Sequence, residues 1–252
     1  MSQLAYKFKG AGHDEPERKR EYVEPDSRLS EAFEKWAATL VFNHEKDYER
    51  AVELLEGIDA TVEEAHSLLI KYQDHKEIRQ SGMFISAIYN KVPEKVIIYD
   101  LDVPVDFLAF KLNAKTFINN GTTKNNMGIY AQGNIINNGA TYDQMGAYAK
   151  GNIINNGTTG AYLGVCAKGN IINNGTTDYA MGLEVKGNII NIGKAPVKKT
   201  TSIPELKQYL DNLKIQLTNP NMDEVLKVLE TLTEEKLSKD ITDILKRTNY
   251  AQ

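Results

Sequence analysis

Four histidines, one cysteine and a set of regularly spaced lysines are the side chains whose chemistry needs weighing first. His13, His44, His66 and His75 are scattered, with no HExxH spacing, no i, i+4 pair and no cysteine beside them, so they do not form the kind of ligand cluster a metal requires. Cys166 lies two residues from Lys168, and a neighbouring ammonium lowers a thiol pKa. No histidine flanks it, however, and its counterparts in the repeat described below are Tyr130, Tyr148 and Glu184. A recurring surface position is the expected reading, not a nucleophile. Glu45, Asp47, Glu49 and Glu53 cluster on one helical segment, where a solvated face accounts for them. The glycines form neither GxGxxG nor a P-loop. The expectation is therefore no catalytic residue, no cofactor-binding residue, no metal ligand and no cofactor. What remains is Lys150, Lys168 and Lys186, spaced by 18 residues, with Tyr130 and Tyr148 beside them. Like charges held in register are unfavourable. Either these lysines are simply well solvated, or the face meets an acidic protein surface or a phosphate backbone, with the tyrosines adding stacking or apolar contact.

The elements that must position this face are repeats. Gly133-Asn134-Ile135-Ile136-Asn137-Asn138-Gly139 recurs at 151–157 and 169–175, and at 187–193 with Ile192 in place of the last asparagine. A divergent copy occupies 115–121, and an apolar residue followed by glycine falls midway through each period: Met127-Gly128, Met145-Gly146, Leu163-Gly164 and Met181-Gly182. A short unit this rich in Gly and Asn cannot bury a face alone and must stack on its neighbours. The pattern predicts a β-solenoid of about five 18-residue coils, flanked by helical regions in an α+β chain. Coils stacked at about 4.8 Å align equivalent residues in ladders. The expected inward columns are Ile135, Ile153, Ile171 and Ile189, then Ile129, Ala147, Val165 and Leu183, then Ala131, Ala149, Ala167 and Val185. Alternation sends Tyr130, Tyr148, Cys166 and Glu184 outward. Asn119, Asn137, Asn155, Asn173 and Asn191 share the parity of the isoleucines, and stacked amides can satisfy one another along such a ladder.

Gly133, Ile135, Gly139, Met145, Gly146, Lys150 and Gly151 fall on the positions of a Gly-x-Ile-x-x-x-Gly, then apolar-Gly-x-x-x-Lys-Gly, motif. That motif resembles the GXGXG repeat of the C-terminal domain in the large subunit of glutamate synthase, found also in the repeat-bearing subunit of formylmethanofuran dehydrogenase. The resemblance covers residues 115–195. It implies a right-handed β-helix with a passive spacer or assembly role, the chemistry lying in other domains. The chain departs from it by placing Asn where an inward Val is usual.

Residues 1–28 are dense in charge and are expected to be a mobile tail. Residues 29–93 form an N-terminal helical region. Its first stripe is Leu29, Phe33, Trp36, Ala37, Leu40 and Val41, capped by Ser30 or Ser27, and a second runs through Tyr48, Val52 and Leu55. A Thr61–Glu64 capping box opens a third helix, and a fourth runs through Ile78, Ile85 and Ile88. Residues 94–114 read as strands (96–101 and 105–112) leading in through an irregular first coil, and 115–195 are the solenoid. Residues 202–252 form a C-terminal helical cap carrying Leu206, Tyr209, Leu210, Leu213 and Leu217, then Val225 and Leu229, then Leu237, Ile241 and Ile244. Both helical regions are expected to close opposite ends of the stack.

The 252 residues carry a net charge of -4 with a pI of about 5.7, so binding to nucleic acid or an anionic membrane would need a local patch. One cysteine excludes an intramolecular disulfide framework. No apolar run approaches the roughly 20 residues of a membrane span, and the charged N-terminus has no apolar h-region. A cytoplasmic protein without membrane contact is expected, acting as a non-enzymatic scaffold or interaction module toward a protein partner or its own copies. An accessory subunit of an oxidoreductase or amidotransferase complex is the alternative. Ice or polysaccharide binding through Thr122, Thr158 and Thr176 is weaker, since Ala140 interrupts that row.

Overall fold

The computed structural model describes residues 22–75, 78–113, 115–194, 204–218 and 234–247. Four helices come first: α1 (Ser27–Ala38), α2 (His44–Leu54), α3 (Val62–Lys71) and, after one 3-10 turn (Ile78–Gln80), α4 (Gly82–Lys91). Twelve short strands follow, from β1 (Val96–Tyr99) and β2 (Thr116–Asn119) to β12 (Ile189–Asn191), and then α5 (Pro204–Thr218) and α6 (Glu234–Arg247). The Val225–Leu229 helix and residues 1–21 of the expected tail lie outside the described residues. Among the described residues, no helix is long and apolar enough to cross a membrane.

The repeat builds a β-solenoid of about five turns with parallel sheets. On the first side, β1, β2, β4 (Ile135–Asn137), β6 (Ile153–Asn155), β9 (Ile171–Asn173) and β12 form one six-stranded sheet in that order. Its register is Phe117 to Ile135 to Ile153 to Ile171 to Ile189. The second side is a four-stranded sheet of β3 (Thr122–Thr123), β5 (Ala140–Thr141), β7 (Thr158–Thr159) and β10 (Thr176–Thr177). The third side is mostly turn. There Met127, Met145, Leu163 and Met181 point into the core, each followed by a glycine with φ near +70°.

That third side overturns one expected column. Ala147 is buried, but Ile129 and Val165 are half-buried and Leu183 is 48% exposed. Strict alternation holds only for extended backbone, and here Gly128 and Tyr130, two residues apart, both have positive φ. The chain turns between them, so the methionine column is buried instead, while Ala131, Ala149 and Ala167 are buried as expected and Val185 is half-buried.

The solenoid begins a coil earlier than the repeat. Val96 pairs with Thr116, a step of 20 residues, where Phe117 pairs with Ile135 at a step of 18. The segment 105–112, expected to be a strand, is instead the third side of this first coil. Leu108 accepts from the Gly128 amide as Met127 accepts from Gly146, and Phe107, Ala109 and Lys111 repeat the positive φ of Asn126, Gly128 and Tyr130.

Helix α4 lies against this coil, buried from Gly82 through Tyr89. A Cβ on Gly82 would stand 2.1 Å from the Asp106 carbonyl oxygen, so only glycine permits the approach. Ser86 bridges the two by donating to the Phe107 carbonyl and accepting from the Phe110 amide. One apolar cluster runs without a break from Leu29, Phe33 and Trp36 through α4 to Met181.

Local details differ from the pattern for physical reasons. Residues 22–28 are not tail: Val23 and Asp26 donate their amides to Ser67 and Glu64 of α3. Asp26, not a serine, caps α1 by accepting from the Arg28 amide. Helix α1 stops at Ala38, so Leu40 and Val41 leave its stripe, and Val52 of α2 faces solvent while Asp47 and Ala51 are buried. The Thr61–Glu64 capping box is present in both directions.

The two described C-terminal helices, α5 and α6, lie on the flank of the stack and not at its end. Leu206, Leu210 and Leu213 of α5, with Ile241 and Ile244 of α6, pack on Ile118, Ile136, Ile154 and Ile172, the outward residues of the six-stranded sheet. They lie along the flank, because the Ile-Ile doublet of each repeat makes that sheet apolar on both faces. Ile192 packs with the same cluster. The last coil leaves Ile189 44% exposed.

Candidate interaction face

Three polar ladders stiffen the solenoid and hold its surface in register. In the inner one Asn119 donates its side-chain amide to Asn137, Asn137 to Asn155, Asn155 to Asn173 and Asn173 to Asn191, at 2.8–2.9 Å. Each also donates to a backbone carbonyl of the neighbouring coil. The ladder's two ends are its unmatched atoms: Asn119 Oδ1 and Asn191 Nδ2 have no partner among the described residues. An outer ladder runs the opposite way, Asn174 to Asn156 to Asn138 to Asn120. In the third, the side-chain oxygens of Asn134, Asn152 and Asn170 accept backbone amides from the next coil. Buried amides without partners cost roughly 1–3 kcal/mol each, so the continuous ladder is what permits asparagine inside.

On this frame the structure brings Tyr130 and Tyr148 together. Their rings stack at 5.2 Å and 23°, 42% and 47% exposed respectively. Phe110 packs against Tyr130 in a T-shaped pair at 6.0 Å and 81°. Both tyrosines have φ of 58°, a left-handed conformation that non-glycine residues adopt at a cost of about 1–2 kcal/mol. Cys166 and Glu184 continue the column with φ of 53° and 56°. The Cys166 thiol donates to Glu184 Oε2 at 3.5 Å. Desolvation, and then the Glu184 carboxylate, push the Cys166 thiol above its ordinary pKa, opposite to the activation that Lys168 would give. Tyr148 is likewise pushed up, by Cys166 and then Tyr130.

Lys150, Lys168 and Lys186 form the expected column, all exposed, separated from Tyr148, Cys166 and Glu184 by the buried or half-buried Ala149, Ala167 and Val185. Among the described residues, none of the three lysines takes part in an ion pair.

Sequence reasoning missed the groove that these tyrosines border. Phe42, His44, Glu45, Phe107, Phe110 and Ile129 join Tyr130 and Tyr148 around a depression of about 360 Å³. Phe42 is 69% exposed. It is held there by buried Asp47, which accepts from the Val41 amide at 3.0 Å while its own carbonyl accepts from Trp36 Nε1 at 2.7 Å. Asn43 then caps α2. The His44 ring lies 4.0 Å from Phe107, and Lys111 pairs with Glu45 beside the Phe110 ring. The groove joins a helix–helix loop to the non-repeating first coil, so no spacing in the chain announces it.

The other reactive candidates disperse. His66 is buried and bonded to the Tyr89 hydroxyl at 2.9 Å, and His75 lies on a separate groove beside Tyr72. His13 lies outside the described residues. Among the described residues no cluster of three or more His, Cys, Asp or Glu could hold a metal. Thr122 and Thr176 are half-buried, and Thr122 donates to Asp102. Comparison with family models, with curated proteins and with solved structures finds no match to this chain.

Proposed function

We propose that the protein is a scaffold or protein-interaction module in which the solenoid presents a rigid recognition face. The observation that carries this reading is the exposed Tyr130–Tyr148 stack bordering an aromatic groove. Rigid aromatic side chains supply contact area at little entropic cost, and here the two rings are already held by their mutual stacking and by Phe110. The row of lysines beside the rings adds charge for orientation. An accessory subunit of an oxidoreductase or amidotransferase complex is one form such a module takes, and the GXGXG-like repeat supports it. The test is a photo-crosslinking amino acid placed at 148, with the same group placed at 158 on another side as control. A defined partner captured from the native cell at 148 and not at 158 supports the reading. Equal capture at both positions, or none at 148, overturns it.

A further inference from the structure

We infer that the ligand of this face is an extended acidic peptide segment. It would seat one large apolar or aromatic residue in the groove among Phe42, Phe107, Tyr130 and Tyr148, and run along the solenoid axis over Lys150, Lys168 and Lys186. This inference rests on the interaction-module reading and names the chemistry of its partner.

The geometry is directional. Tyr148 and Lys150 stand two residues apart in one coil, so their backbones lie within about 7 Å. The groove is at the helical end of the stack, where Phe42 and Phe107 meet the first coils. From there the aromatic column gives way to Cys166 and Glu184, while the adjacent column continues as Lys150, Lys168 and Lys186. One end of the strip is therefore apolar and the rest is cationic. Two rungs separate Lys150 from Lys186, roughly 10 Å at the spacing of paired strands, which an extended peptide covers in about three residues. A large apolar or aromatic anchor followed within a few positions by two or three carboxylates matches this strip. The lysines have no ion-pair partner among the described residues, so an incoming carboxylate displaces no salt bridge.

A single-stranded nucleic acid would meet the same lysines but needs an open aromatic face on which to stack a base. Neither tyrosine offers one. Tyr130 lies between the Phe110 ring and Tyr148, and Tyr148 lies between Tyr130 and the Cys166 thiol, with which it interacts. What they present outward are ring edges, suited to a side chain lodged in the groove.

The experiment is fluorescence anisotropy on the full chain with three labelled probes of similar length: a random copolymer of glutamate and tyrosine, polyglutamate, and oligo(dT). The copolymer should bind at least about tenfold more tightly than polyglutamate, and binding should weaken with salt. The triple variant K150Q, K168Q, K186Q should lose about tenfold or more, whereas F42S should reduce the copolymer to the polyglutamate level. Phe42 sits on an exposed loop, so F42S keeps the test independent of solenoid folding, and circular dichroism checks both variants. Tighter binding of oligo(dT), copolymer binding that survives both variants, or no binding of any probe each overturns the acidic-peptide assignment. Crosslinking at 148 decides the module reading separately: a partner captured there without acidic-peptide binding leaves the module and removes this ligand.

Discussion

At the scale of single residues, the backbone conformation of the tyrosine column is the unusual feature. Tyr130, Tyr148, Cys166 and Glu184 occupy left-handed φ in successive coils, where asparagine or glycine is the ordinary choice. Cys166 gains only its contacts with Tyr148 and Glu184 in return, among the described residues. Cys166→Asn should therefore raise the midpoint of thermal unfolding by a few degrees. Cys166→Val, β-branched at a φ that disfavours branching most, should lower stability relative to the parent by about 1 kcal/mol. A chemical-denaturation series compares the two, and a Val variant as stable as the Asn variant would refute the strain argument. The inner ladder yields a second expectation. Asn155 accepts from Asn137 and donates to Asn173 and to the Thr176 carbonyl. In Asn155→Asp only the protonated acid can still donate, so burial and the facing acceptors raise the folded-state pKa of the new carboxyl above its unfolded value. The variant should be most stable in acid, below the unfolded pKa of about 4, and lose stability as pH rises through the folded value. Unfolding curves at several pH values, referenced to the parent protein, test the sign.

At the scale of elements, close stacking is what the glycines allow. A Cβ on Gly151 would stand 2.2 Å from the Gly133 carbonyl oxygen, so Gly151→Ala must push two coils apart. Gly57 also has positive φ, but nothing lies within 4 Å of a Cβ built there. Gly57→Ala should cost about 1 kcal/mol, and Gly151→Ala several times more, as read by denaturant midpoints. Elements built from repeats were legible in the chain because equal residues return in equal register. The Asn119–Asn191 column and the isoleucine core follow from parity alone. The third side was not legible, because alternation assumes an extended chain and Tyr130 breaks it. An irregular first coil over 94–114 was legible, but its third side at 105–112 read as a strand, because a step of 20 residues and non-glycine turns at Phe107, Ala109 and Lys111 hide its likeness to the repeat. The groove at Phe42 was beyond reach, since it forms only where a loop meets that coil. The place of the C-terminal helices was readable in principle: the doublets Ile135-Ile136 and Ile153-Ile154 leave an apolar row outside the sheet that some element must cover.

At the scale of the whole molecule, the helices and the solenoid share their cores and do not merely adjoin. The N-terminal helices extend the solenoid interior, and α5 and α6 cover its flank. A chain truncated before 202 should therefore aggregate through Ile118, Ile136, Ile154 and Ile172, an exposed apolar row on a broad sheet. Adding I136T, I154T and I172T to the truncated chain should restore a monomer in analytical ultracentrifugation. Aggregation that persists would instead place the liability at the last coil, where Leu183 and Ile189 are exposed. The uniform step of 18 residues has a further consequence. Because β2, β4, β6, β9 and β12 meet in one unbroken register, duplicating a single period in the gene would insert one more rung without disturbing either neighbour. The groove beside the helices would stay as it is, while the row of lysines grew by about 4.8 Å. The molecule is thus a ruler whose reading edge can be lengthened in whole graduations, leaving its zero mark fixed.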